Sequence, residues 1–146
     1  MRQMRHWRVA VFLSAATVLA APSAWAGSSA YGHALGQGGE ALSADQIEEQ
    51  FVGRTGTWVS ASGGKKIRIY YGDDNNLEGR QVGGDWSDTG YYGVADDGSI
   101  CISWDGIDAG RLRCLKVVID EGTVFKFNAD GSRNGRYISF DDGRSF

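Results

Sequence analysis

Catalytic and metal sites need nucleophiles, bases or ligand atoms in number, and this 146-residue sequence offers few of the demanding kinds. Its histidines are His6 and His33, and its cysteines are Cys101 and Cys114. A Ser-His-acid triad needs a histidine on a rigid element, and a zinc site needs His or thiolate ligands. Neither histidine falls in a segment with a rigid pattern, and the two thiols are expected to be joined as a disulfide, so both chemistries are excluded on this reading. Carboxylates are plentiful, but most stand in turns, where Asp bonds its own backbone. A carboxylate pair of the glycosidase kind is the remaining enzymatic option, and mutation of Asp85 and Asp88 would test for any turnover. The reading is of a protein that is not an enzyme.

Oxygen ligands at calcium-loop spacing occur twice. Asp74, Asn76 and Glu78, then Gly79, with Asp85 at position twelve, form one set. Asp130, Ser132 and Asn134, then Gly135, with Asp141 at twelve, form the other. Both carry Asp where a bidentate Glu is expected, both are flanked by strands, and Gln81 stands where the first loop wants an apolar residue. Hairpin turns demand the same Asp, Asn and Gly, and the turn reading is preferred. Calcium is the one cofactor the sequence suggests.

Aromatic residues form the other group. Trp58, Trp86, Tyr92 and Trp104 are expected to line a ligand cavity or a core, and Asp88 adds a polar group in a strand interrupted by Gly90 and Gly93. An acidic chain, with 15 Lys plus Arg against 18 Asp plus Glu, is unsuited to tracking phosphates, which excludes nucleic acid as a partner.

The elements that must position these residues begin after a segment of export type. Arg2, Arg5 and Arg8, a short apolar run and the triplet Ala24-Trp25-Ala26 follow the order of a secretory signal peptide over residues 1–26. No cysteine stands near the cut to take a lipid, so no membrane anchor is expected, and the destination is periplasmic or secreted. Without Arg2, Arg5 and Arg8 the remaining 120 residues hold 12 basic and 18 acidic side chains, a net charge of −6.

Residues 27–41 are rich in Gly and Ala and read as a flexible leader. Residues 42–146 form the folded domain. Ser43 and Gln46 make a capping box, Leu42 and Ile47 a hydrophobic staple, and Gly53 a stop, so a short helix is expected over residues 44–52. Alternating runs then follow at 55–60, 65–71, 76–82, 86–95, 99–104, 111–119, 123–128 and 136–140, separated by Gly- and Asp-rich turns. Ile67, Ile69 and Tyr71 alternate with Lys66, Arg68 and Tyr70, and Phe125 and Phe127 alternate around Lys126. Eight such strands have bare edges unless they close. The expected fold is all-β, an eight-stranded antiparallel up-and-down barrel with one short N-terminal helix. Folding the hairpin about residues 105–110 sets Cys101 opposite Cys114, close enough for a disulfide in an oxidising compartment.

Gly56-Thr57-Trp58, after a short helix and at the first barrel strand, resembles the G-x-W opening of lipocalins and their calycin relatives, and the implied architecture is lipocalin-like or avidin-like. The succession from Gly56-Thr57-Trp58 through Tyr70-Tyr71-Gly72-Asp73-Asp74, Gly84-Asp85-Trp86, the run 96–104 and Arg113-Cys114 is similar to small exported proteins of Gram-negative bacteria grouped as a domain of unknown function. That resemblance implies the barrel and the disulfide and supplies no chemistry. The expectation is a monomeric exported binding protein that holds a small apolar or aromatic ligand in the barrel. Two alternatives stand beside it. One is an interaction or inhibitor protein acting on a secreted enzyme through its N-terminal segment or loop rim, and the other is a calcium-stabilised structural domain. A hollow interior favours the first reading, and a packed barrel with a protruding 27–41 segment favours the inhibitor.

Overall fold

The computed structural model describes residues 29–146, so the export segment read over residues 1–26 lies outside the described residues. The elements run α1 (Ala30–Gly36), β1 (Glu40–Ala41), α2 (Ala44–Phe51), β2 (Arg54–Ser60), β3 (Lys66–Tyr71) and β4 (Asn76–Gln81). They continue with β5 (Ser87–Ala95), β6 (Ser99–Trp104), the 3-10 turn η1 (Asp108–Gly110), β7 (Arg113–Asp120), β8 (Thr123–Phe127) and β9 (Arg133–Asp142). From β2 onward each strand pairs antiparallel with the next, and β9 returns to β2, so the sheet closes on itself as the expected up-and-down barrel. Closure leaves the eight strands no free edge, the liability that consecutive half-polar strands otherwise carry. Among the described residues no helix is long and apolar enough to cross a membrane.

Helix α2 plugs one end of the barrel for reasons written in its own residues. Ser43 Oγ accepts from the Gln46 amide at 3.3 Å, and Gln46 Oε1 accepts from the Ser43 amide at 2.8 Å, which satisfies two otherwise orphaned donors. Ile47 and Phe51, one turn apart, are both fully buried in the barrel core with Leu42. Gly53 then leaves the helix with a φ of +72°, a left-handed conformation that glycine adopts without strain.

Residues 29–41 depart from the expected flexible leader. They form α1, capped by Ser29 Oγ on the Gly32 amide, and the two-residue strand β1 on the outer side of β7. The cause lies on the barrel's outer wall. Phe125, Phe127 and Val118 point outward there, and α1 covers them with Ala34 and Tyr31, the Tyr31 ring standing edge-on to Phe127 at 5.6 Å between centroids. The Tyr31 amide also donates to the Gly131 carbonyl at 3.0 Å. Gly39 permits the close approach, since a Cβ there would sit 2.8 Å from the Ala34 carbonyl and 2.9 Å from Val118. A Gly- and Ala-rich segment thus gains its order from apolar surface belonging to other strands.

On β8 the aromatic face is the outer one. The alternation around Lys126 holds, but Phe125 and Phe127 face out beneath α1 while Val124 and Lys126 face into the barrel. The turn at Glu121-Gly122 sets Val117 opposite Lys126, and Val117 is itself a core residue.

Candidate functional site

The barrel interior divides into a packed end and an open end. Around α2, Phe51 stands edge-on to Tyr71, Tyr137 and Phe140, with centroids 5.0, 5.3 and 5.3 Å away. The Tyr71 and Tyr137 hydroxyls are hydrogen-bonded to each other, and burial pushes both phenols above their ordinary range. Gly56 belongs here: a Cβ on it would collide with the Tyr137 ring, so the glycine of the G-x-W opening is the space those aromatics occupy.

At the opposite end lies a cavity of about 300 Å³. Trp58, Trp86 and Trp104 form its aromatic walls, with Ile67, Ile102 and Leu115 between them. Trp86 and Trp104 pack edge to face at 5.7 Å between ring centroids. Gly79, inward on β4, makes room for both, since a Cβ there would lie 2.8 Å from Trp104 and 3.1 Å from Trp86. Gly135 on β9 does the same for Trp58, whose indole passes where that side chain would be. Small residues opposite large ones therefore shape the walls.

A polar group stands in this apolar surround. Lys126 is only 3% exposed, lines the cavity, and lies 5.5 Å over the Trp58 ring and 5.2 Å over the Tyr137 ring. Burial alone drives its ammonium down to about 7, because removal from water disfavours the charged form. Sequence inspection missed this residue, since a lysine between two phenylalanines reads as the solvent side of a strand. The signal that could have found it is the two-residue turn before β8, which ties Lys126 to the face of Val117.

The mouth is partly roofed by the segment between β6 and β7, where Asp108, Ala109 and Gly110 turn left-handed in succession with φ of 52°, 54° and 73°. Its Ile107 and Asp108 reach the cavity. Asp88 belongs to this roof and not to the ligand space. Its carboxylate accepts the Gly106 amide at 3.1 Å, while Thr89 Oγ1 donates to Asp105 at 2.8 Å. Tyr92 also departs from the expected site. It faces inward but toward the packed end, donating its hydroxyl to the Gly72 carbonyl at 2.6 Å and meeting Tyr71 edge-on at 5.1 Å. Of the five residues expected to line a ligand site, Trp58, Trp86 and Trp104 come together, and Asp88 and Tyr92 do not.

The calcium ligands do not converge either. Asp74 turns back on its own loop, accepting from the Asn76 amide at 3.1 Å, which holds its carboxyl below the usual range. Glu78 takes the Arg144 guanidinium at 2.9 and 2.8 Å. Asp85 lies beyond the other end of β4, roughly 20 Å away at the rise of a strand. In the second set Asp130 accepts from Ser132 at 2.8 and 2.6 Å, and Asp141 is on the far end of β9 beside Arg68. Among the described residues no three His, Cys, Asp or Glu side chains gather as a metal site would require.

Cys101 and Cys114 are directly opposed across β6 and β7 and joined as a disulfide, with Cα atoms 3.9 Å apart. Their neighbours Ile100, Ile102 and Leu115 point into the barrel, so the bridge clamps the wall from outside without entering the cavity.

The fold and site together define a closed eight-stranded barrel with one end plugged and a tryptophan-walled cavity at the other. No protein-family model, curated protein or solved structure matches the chain.

Proposed function

We propose that the protein is an exported, non-catalytic binding protein that holds a small apolar or aromatic ligand in the open end of its barrel. The observation that carries this is the cavity of about 300 Å³ walled by Trp58, Trp86 and Trp104, at the small end of the range of ligand pockets and predominantly apolar. The strained roof over the mouth and the glycines that clear its walls support the same reading. Export is supported by the signal-like segment over residues 1–26 and by the disulfide, which persists in oxidising compartments. The inhibitor alternative draws less support, because α1 lies against the barrel wall instead of projecting from it.

Titration with N-phenyl-1-naphthylamine, a neutral apolar fluorophore excited by energy transfer from tryptophan, tests the reading. Saturable one-to-one binding is expected, and filling the cavity with Ile67→Trp should abolish it. No saturation, or binding indifferent to that substitution, would remove the proposal. Native mass spectrometry of the exported protein then identifies any molecule that stays bound.

A further inference from the structure

A lysine taken out of water is costly unless an opposite charge answers it. Lys126 has its ammonium at the inner wall of the cavity, and among the described residues no carboxylate pairs with it. The rest of the lining repeats the imbalance: Lys65, Arg111 and Arg113 are basic, and the one acid, Asp108, is taken by Arg113. A cavity rich in positive charge inside a chain of net charge −3 is a local arrangement, not a reflection of composition. The wall behind the lysine is closed by the Trp58 indole. Trp58 Nε1 is buried without a hydrogen bond, against Gly135, the residue paired with Lys126 across β8 and β9.

We infer that the cavity takes a small aromatic or apolar carboxylic acid, its carboxylate pairing with Lys126 Nζ and its ring or chain lying among Trp86, Trp104 and Ile102. The ligand's two oxygens answer the charge that the fold leaves unmatched. The walls supply apolar burial for the remainder. This rests on the carrier reading and specifies its ligand.

Calorimetric titration at pH 6 with 2-naphthoate and with 2-naphthamide, its uncharged counterpart of equal size, tests the inference. Naphthoate should bind at least tenfold more tightly. Lys126→Met, which keeps length and removes charge, should erase that preference, lowering naphthoate affinity to that of naphthamide. Should the variant fail to fold, the wild-type pH series is decisive alone, because the preference should fall about tenfold per pH unit once Lys126 loses its proton above neutrality. The groups around Lys126 are Val117 on β7, Trp58 on β2, Tyr137 on β9 with its partner Tyr71 on β3, and Lys65, Asp108, Arg111 and Arg113 at the mouth. Burial keeps both tyrosines neutral through this range. Equal affinities at pH 6, a preference that survives Lys126→Met, or one that is constant to pH 9 would overturn the inference. If the neutral fluorophore still binds in that event, the carrier reading stands without it; if nothing binds, both fall.

Discussion

Replacing Lys126 by Met should stabilise the protein at low pH and do so progressively less as pH rises. Folded, the ammonium is lowered from 10.5 to about 7 by burial, so the folded state binds fewer protons than the unfolded chain between those values. Stability of the wild type therefore carries the full penalty below pH 7 and recovers it by pH 10.5. At 1.36 kcal/mol per unit the span comes to about 5 kcal/mol. The Trp58 and Tyr137 rings, 5.5 and 5.2 Å from the ammonium, return about 0.5 to 2 kcal/mol. That offset leaves a pH-dependent difference of roughly 3 to 4 kcal/mol, which is large beside the usual 5 to 15 kcal/mol of a domain. Urea unfolding of wild type and Lys126→Met at pH 6, 8 and 10 measures it, and tyrosine ionisation, common to both proteins, cancels in the difference. A gap below about 1 kcal/mol between pH 6 and pH 10 would mean that Lys126 reaches water or an acid, and the reasoning fails.

Three further outcomes follow from the geometry. Replacing Cys101 and Cys114 together by Ser should cost about 3 kcal/mol for a loop of this length, visible in urea unfolding, yet leave N-phenyl-1-naphthylamine affinity unchanged because the bridge lies outside the cavity. Phe127→Ala, which removes a fully buried ring from beneath α1, should cost about 3 to 5 kcal/mol and speed amide exchange in α1 relative to α2. Tyr92→Phe should lose about 1 kcal/mol with its bond to Gly72, and a drop in ligand affinity beyond twofold would show that the packed end and the cavity are not separate.

The elements were legible because their signals are local. The capping box at Ser43 and Gln46, the alternation through Ile67, Ile69 and Tyr71, and the opposed cysteines each need only a few neighbouring residues to be read. All eight strands stand where the alternation put them, the largest shift being β9, which starts at Arg133 and not at 136. What stayed hidden depends on other strands. Tyr92 and Trp104 both face inward, as period two requires, but their height along the barrel depends on the register of every strand between them and the plug. Asp88 reads as a ligand group until the β6–β7 segment arrives to take its carboxylate. Residues 27–41 contain little to bury, and the apolar patch that orders part of them belongs to β7 and β8.

The outward Phe125 and Phe127 have one more implication. Sliding a strand by a single residue swaps its two faces, and such a slip in β8 would drop two phenylalanines into the hollow and expel the lysine. The docked N-terminal helix opposes that exchange, for it claims Val118 and Phe127 from the far side of the wall. An element with no part in the lining thus helps decide that there is room inside at all, and a chain shortened to begin at Gly39 should drift toward a filled, ligand-blind barrel.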